Sequence, residues 1–452
     1  MIPRLVIVGF LLCFLSNGSV VFVASAEEKP IRVLPFLSLL LQDDSIRLLG
    51  SPDNIQTTTS DIVSCSRAAF DSKGNAYVVW IQGPNYSSGS VWASRHTSNS
   101  GWGTAAAIES SPADIWGCPA ISADGNGNVF AVWSQSGVIM LNHYLTGIGW
   151  STPETVGGSM GLHPSVAVDT SGTVFVVWED SESIWARRYK VGVGWDTATT
   201  IESYTPQANM PSVVVDASGN ATVVWSQNVI GLLASATANH YTVGAGWGTP
   251  VSISSGSEVI LNSLVIADID ANGNVFASWS QGSPETYPST TIFTIRANRY
   301  VPGGGWGVPV TLDTDLSKTS NSPNIAAGAS GDATVVWGKY DKTIYTAMYS
   351  TGTGWEAATA VAGGSISPDV AISSTGKVTV AWDNLQNNYE YDTRAIQYTS
   401  STGWGDVQLL APINSPSISV VTLATDGAGN FLAPWTEGPG PTHDKVMINL
   451  FQ

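Results

Sequence analysis

Charge is scarce in this chain. Asp, Glu, Lys and Arg make up only 12% of its 452 residues, and 18 Lys plus Arg stand against 35 Asp plus Glu, a formal net charge of −17. The basic residues form no stripe, so the electrostatic grip on a phosphate backbone is missing and no nucleic-acid partner is expected. Cysteine occurs three times, enough for a staple but not for a framework. Beyond residue 26 no stretch is apolar enough to span a bilayer, so no membrane insertion is expected there. There is no Gly-x-Ser-x-Gly elbow, no His-Glu-x-x-His helix and no Cys/His cluster, which removes the best-marked routes to nucleophilic and metal catalysis. Solubility must then come from neutral hydrogen-bonding groups more than from ion pairs.

The first 26 residues read as an export signal. Arg4 supplies a positive start, "LVIVGFLLCFL" (5–15) an apolar core, and "ASA" (24–26) a small-residue cleavage site. The alternative is an uncleaved anchor over 5–26, interrupted by "SNGS". Export places the remaining chain in a secreted or periplasmic setting. Cys65 and Cys118 then remain, 53 residues apart at the same place in two successive repeats. Oxidation is permitted there, but neighbouring repeat units can hold such positions beyond bridging distance, and the sequence leaves both states open.

Glycine and tryptophan are abundant, at 46 and 18, and their spacing is regular. Gly74, Gly127, Gly172, Gly219, Gly273, Gly331, Gly376 and Gly429 are each followed six residues later by Trp80, Trp133, Trp178, Trp225, Trp279, Trp337, Trp382 and Trp435. In six units an Asp stands three residues before the glycine: Asp71, Asp124, Asp169, Asp216, Asp270 and Asp426. A second mark, Gly-Trp, ends at Trp102, Trp150, Trp195, Trp247, Trp306, Trp355 and Trp404. With periods of 45 to 58 residues, this is an internal-repeat protein.

Each mark has a mechanical reading. Asp-x-x-Gly-Asn suits a tight turn in which the Asp side chain caps the backbone and Gly takes positive φ. The flanks, as in "PSVVV" and "ATVVW", are apolar on both faces, which describes strands covered on both sides. A third strand such as "IWARRY" (184–189) and a glycine-rich turn leading to a fourth, "TATTIES" (197–203), complete a unit of four antiparallel strands. The expectation is an all-β, eight-bladed β-propeller of four-stranded antiparallel blades, with seven blades as the fallback. The eighth unit stops before its fourth strand, and "DSIRLLGSP" (44–52) resembles the seventh unit's "GDVQLLAP" (405–412). Residues 44–50 are therefore expected to complete blade eight and remove an open edge. The domain organisation expected is a signal peptide (1–26), a leader segment (27–43) and one propeller domain (44–452). Both tryptophan sets are read as blade-to-blade packing, each ring burying roughly 150–250 Å².

Units of the form "PSVAVDTSGTVFVVW…IWARRY…GVGW" resemble a class of secreted bacterial β-propeller repeat proteins over nearly all of 44–452; that resemblance implies architecture and little chemistry. Sialidases, which carry an Asp-box in their hairpins, are more distantly similar, although here the glycine comes one residue later and the Arg-Ile-Pro element is absent. Fucose-binding propeller lectins share the Gly-Trp rhythm, without a clear copy of their sugar site. Kelch repeats share the period but need a double glycine that is missing.

Three groups of side chains are candidates for function. The connections from second to third and from fourth to first strand vary in length and open on one face, where binding usually resides. Their tyrosines, Tyr86, Tyr287, Tyr389 and Tyr391, suit stacking on sugars or anchoring a protein. A polar ring lies two residues beyond each second-strand tryptophan: Gln82, Gln135, Asp180, Gln227, Gln281, Lys339, Asn384 and Glu437. It is read either as a ligand-binding ring or as amides that satisfy strand ends. A third-strand ring comprises Arg95, His143, Arg188, His240, Arg299, Met348, Gln397 and Asn449, either anion-binding between blades or rim residues paired with acids. Asp268, Asp270 and Asn272 in "DIDANGN" have cation-loop spacing, but position twelve is Trp279 rather than Glu; no cofactor is expected, with calcium at these three the alternative. The functional expectation is an exported non-catalytic binding module for glycan or an extracellular protein. A sialidase-like glycoside hydrolase or lyase is the alternative, with Glu179, Asp180, Asp383 and Glu437 as its carboxylates.

Overall fold

Blade three shows how one repeat becomes one wedge. Its strands are Leu162–Val168, Val174–Asp180, Ser183–Lys190, Gly194–Trp195 and Thr199–Thr200, with the last two both paired to the third strand. This is a computed structural model; it describes residues 46, 48, 53–56, 61–85, 88–202, 207–230, 233–255, 264–282, 292–315, 317–364, 367–385, 391–415, 421–437 and 445–452. The chain is all-β, with eight four-stranded antiparallel blades arranged as a propeller. The expected fourth strand differs in one respect. It is broken into a Gly-Trp piece and a second piece, because three residues, 196–198, stand opposite two, 187–188, between them.

The turn chemistry follows from Asp and Gly. Asp71 Oδ1 accepts the Lys73 and Asn75 amides, both at 2.9 Å, while Asn75 Nδ2 donates to Oδ2 at 2.8 Å and Gly74 sits at φ +75°. The same glycine position packs against the preceding blade. A Cβ on Gly219 would lie 3.0 Å from Asp169 Oδ2. Six residues on, the second-strand tryptophans Trp80, Trp133, Trp178, Trp225, Trp279, Trp337, Trp382 and Trp435 are fully buried between blades.

The first strands of successive blades pack against one another around the axis, and those of blades eight and one meet. Thr422 Oγ1 donates to the Ser66 carbonyl at 3.3 Å across that seam. The clasp forms, and it reaches beyond residue 50. Leu48, in the expected segment, bridges Phe451 and takes the place of a Gly-Trp tryptophan, and Asp53–Asn54 continues the outer strand opposite Ile448 and Met447. Of 44–50, only Ile46 and Leu48 are among the described residues.

The inner strands carry a kink of their own. Cys65, His163, Met210 and Ser322 occupy equivalent places at positive φ (47–56°), each at a break in register with the second strand. In blade one the kink brings Cys65 to a Cα separation of 5.2 Å from Cys118, and the two are bridged. The question left open by spacing is closed by this local geometry.

Candidate functional site

The polar ring at the second-strand ends is engaged with the protein itself. Trp80, Trp133, Trp225 and Trp279 donate their indole N–H to Gln82, Gln135, Gln227 and Gln281 at 2.7–3.2 Å, and Trp435 reaches Glu437 at 3.4 Å. The amide nitrogens of Gln82 and Gln135 then hold the incoming loop at Asp61 (3.1 Å) and the Ser111 carbonyl (2.7 Å). Asp180 accepts the Ser159 amide at 2.8 Å, and Asn384 donates to Asp392 at 2.9 Å. Gln82, Asp180, Gln227, Gln281 and Asn384 are buried. Tyr391 opens a third strand, half-buried against the core of blades seven and eight. Tyr86, Tyr287 and Tyr389 lie outside the described residues.

Blade six breaks the pattern with Lys339. Its fully buried ammonium lies 3.1 Å from Asp313 and 2.9 Å from Asp315, leaving the Trp337 indole N–H with no acceptor. Burial opposes the charge, but bonds to the two carboxylates hold the Lys339 pKa above its usual value; the bond from Lys339 leads the causes that bring Asp315 down to about 2. Lys339→Ala strands a buried carboxylate and is expected to cost about 3–5 kcal/mol. Lys339→Gln with Asp313→Asn offers Trp337 the glutamine acceptor that blades one, two, four and five use and is expected to be neutral or stabilising. Urea denaturation of the two variants checks this; equal losses would show that the triad is not an alternative to the glutamine design.

The proposed cation loop is held by amides. Asp268 accepts Ala327 N and Ile269 N, both at 2.8 Å, and Asp270 accepts Asn272 N and Asn274 N at 2.8 Å. Burial raises Asp268 to about 6 despite those bonds, and Asp369 likewise. Of the carboxylates weighed for catalysis, Glu179 accepts His163 Nδ1 at 3.0 Å and the Met210 amide at 3.2 Å, bracing two inner-strand kinks.

The third-strand ring lies elsewhere, in the clefts between blades beside the short Asp-Gly and Gly-Trp turns. Pairing sets Arg95 opposite Tyr77, His143 opposite Phe130, Arg188 opposite Phe175, His240 opposite Thr222 and Arg299 opposite Phe276. Each also meets an aromatic of the next blade or its own second strand. Arg95 lies 5.4 Å from the Tyr144 ring centre, Arg188 4.8 Å from Tyr241, and Arg299 5.4 Å from Phe276 and 5.3 Å from Tyr349. His143 stands 6.1 Å from Phe130, and His240 5.0 Å from Tyr300. Desolvation lowers both histidines, with Glu154 and Asp216 opposing it.

One member of that ring was misplaced by one residue. Asn449 pairs with Ala433, and it is Leu450 that faces Leu432 in the equivalent position. Asn449 belongs with Asn142, Asn239 and Asn298, whose Nδ2 atoms donate at 2.7–2.9 Å to Leu410, Ile108, Ile201 and Ile253 carbonyls on the preceding blade. This blade-to-blade staple escaped sequence reading, although an Asn recurs beside the cationic position.

The Gly-Trp tryptophans Trp195, Trp306 and Trp355 wall clefts beside that ring. Unlike the first set, the Gly-Trp tryptophans are half-buried, and in six blades each stands edge-on or tilted to a tyrosine at 5.4–5.8 Å. The cleft between blades five and six has a volume of about 750 Å³ and is lined by Arg299, Trp306, Val308, Tyr349 and Trp355. Smaller clefts of about 240 Å³ and 360 Å³ lie between blades two and three, at His143 and Trp195, and between blades six and seven, at Met348 and Tyr398.

No protein-family model matches the chain, and no curated protein matches it. Solved structures do. A lectin from Burkholderia pseudomallei aligns with TM-score 0.54 and 12% identity over 78% of this chain and 100% of its own. A polysaccharide lyase described as an ulvan lyase aligns with TM-score 0.49 and 10% identity over 71% and 89%. An intramolecular trans-sialidase from Ruminococcus gnavus aligns with TM-score 0.41 and 11% identity over 90% and 98%. The likeness to the lectin is one of fold, and the chain is a β-propeller.

Proposed function

We propose that this chain is an exported carbohydrate-binding module that holds sugar rings in the clefts between neighbouring blades. One observation carries the reading: the cleft of about 750 Å³ between blades five and six, walled by Trp306, Trp355 and Tyr349 with the Arg299 guanidinium stacked at its back. Aromatic faces match the C–H faces of a pyranose, and a fixed guanidinium offers hydrogen bonds to its oxygens. The volume lies within the range of roughly 300–1,000 Å³ usual for small-ligand sites. Its walls stand on paired strands, which hold side chains more firmly than loops do. The N-terminal Arg4, the apolar run 5–15 and "ASA" 24–26 support export.

A glycan-array screen of residues 27–452 tests this directly. Trp355→Ala is expected to weaken binding by about ten-fold or more, equivalent to about 1.4 kcal/mol. Tyr389→Ala with Tyr391→Ala is expected to leave it unchanged. The reverse result would move the site to the variable-loop face, and no binding to any glycan would end the carbohydrate reading.

A further inference from the structure

We infer that the clefts take sugars bearing a carboxylate or sulfate group, with Arg299 and Arg95 as the anion-holding residues; the inference rests on the reading of the clefts as carbohydrate sites. The repeat provides an internal control. At one structural position, blades one to five carry Arg95, His143, Arg188, His240 and Arg299, while blades six to eight carry Met348, Gln397 and Leu450. Since three blades close with a neutral side chain there, the wedge does not need a cation. Yet five of the few basic or imidazole groups in the chain stand at that place, on consecutive blades.

Nor does the protein supply the opposite charge. Among the described residues Arg95 and Arg299 form no ion pair, whereas Arg188 lies 3.4 Å from Asp196. Arg95 Nε donates to the Tyr77 hydroxyl at 2.8 Å, and Arg299 Nε is buried against its two rings without an acceptor. Among the described residues no Asp or Glu lines the Arg299 cleft, while Glu154 and Asp124 line that of His143 and Glu356 and Asp332 line that of Met348. The two rings, with centres 5.1 Å apart, brace the guanidinium together from one side, and a guanidinium held in place suits the paired N–H bonds that grip a planar carboxylate or a sulfate. The net charge of −17 does not forbid this, because screening over about 8 Å at physiological salt leaves the local charge in control.

Calorimetry with residues 27–452 in about 150 mM salt provides the test, using three oligosaccharides of equal length: an oligogalacturonate, a sulfated galactan fragment and a neutral galactan fragment. At least one anionic probe is expected to bind about ten-fold or more tightly than the neutral one, and comparison of the two anions distinguishes carboxylate from sulfate. Arg299→Met copies the residue blade six uses and is expected to remove most of that preference while leaving the urea midpoint in place. Equal affinity for the neutral probe, or a preference that survives in Arg299→Met with Arg95→Met, would overturn the acidic assignment and leave the carbohydrate reading standing. Failure of all three probes together with a blank array would remove both.

Discussion

Deleting residues 1–56 is expected to cost the propeller much of its stability and to make it associate. The clasp contributes more than a strand. Ile46 is buried with Trp435, Phe451 and Leu410, where blades seven and eight meet, while Ile55 is buried with Val63, Trp80 and Val446, where blade eight meets blade one. One short segment therefore seals both flanks of the last wedge. Burying an Ile contributes about 1.5–3 kcal/mol, so the pair alone is worth about 3–6 kcal/mol against a typical net stability of about 5–15 kcal/mol. Lys445–Phe451 would also become an unpaired edge. Urea unfolding and size-exclusion chromatography measure the two effects. Ile46→Ala with Ile55→Ala isolates the packing part without truncation, and an unchanged midpoint in that variant would show that the ring closes without its clasp.

Trp279→Ala is expected to destabilise the chain by about 3–5 kcal/mol, the cost of emptying a large core position. Its ring is fully buried with Val265, Ala267 and Ala277 of its own blade and Val224 and Ala236 of its neighbour, and its indole N–H donates to Gln281 at 2.7 Å. Trp306→Ala, at the half-buried Gly-Trp position lining the cleft of about 750 Å³, is expected to cost under about 2 kcal/mol. The contrast matters more than either value. Equal losses in urea denaturation would mean that both tryptophan sets are core, and that the clefts are packing defects.

The turns and the buried tryptophans were readable because each obeys a local rule. Asp71 caps its own turn, Gly74 takes a φ that other residues avoid, and Trp80 follows at fixed register on a strand covered on both faces. What escaped reading depends on more than one chain segment. The two tryptophan sets look alike as letters and both pack between blades, yet Trp279 is fully buried there while Trp306 is only partly buried against the same core and also lines a cleft, a distinction set by which strand ends where. The Cys65–Cys118 bridge depends on a left-handed kink at Cys65, which no turn signature announces. Asn449 and Leu450 are hard to tell apart by spacing because the eighth unit has no Gly-Trp after its third strand to mark the register. The amides of Gln82 and Gln281 were correctly placed by spacing, but whether they faced solvent or an indole could only be seen once strands curled around them.

The split outer strands have a consequence for life at high concentration. Blades one, three, four and five present at their margins two stitches rather than a seam, such as Gly194–Trp195 and Thr199–Thr200 in blade three and Gly246–Trp247 and Val251–Ser252 in blade four, whereas blade seven ends on the longer Gln408–Ser415. A foreign β-segment needs several consecutive free amides and carbonyls in one line to zip onto an edge, and the stitched margins offer no such run. Those margins can thus crowd against copies of themselves without seeding a fibre.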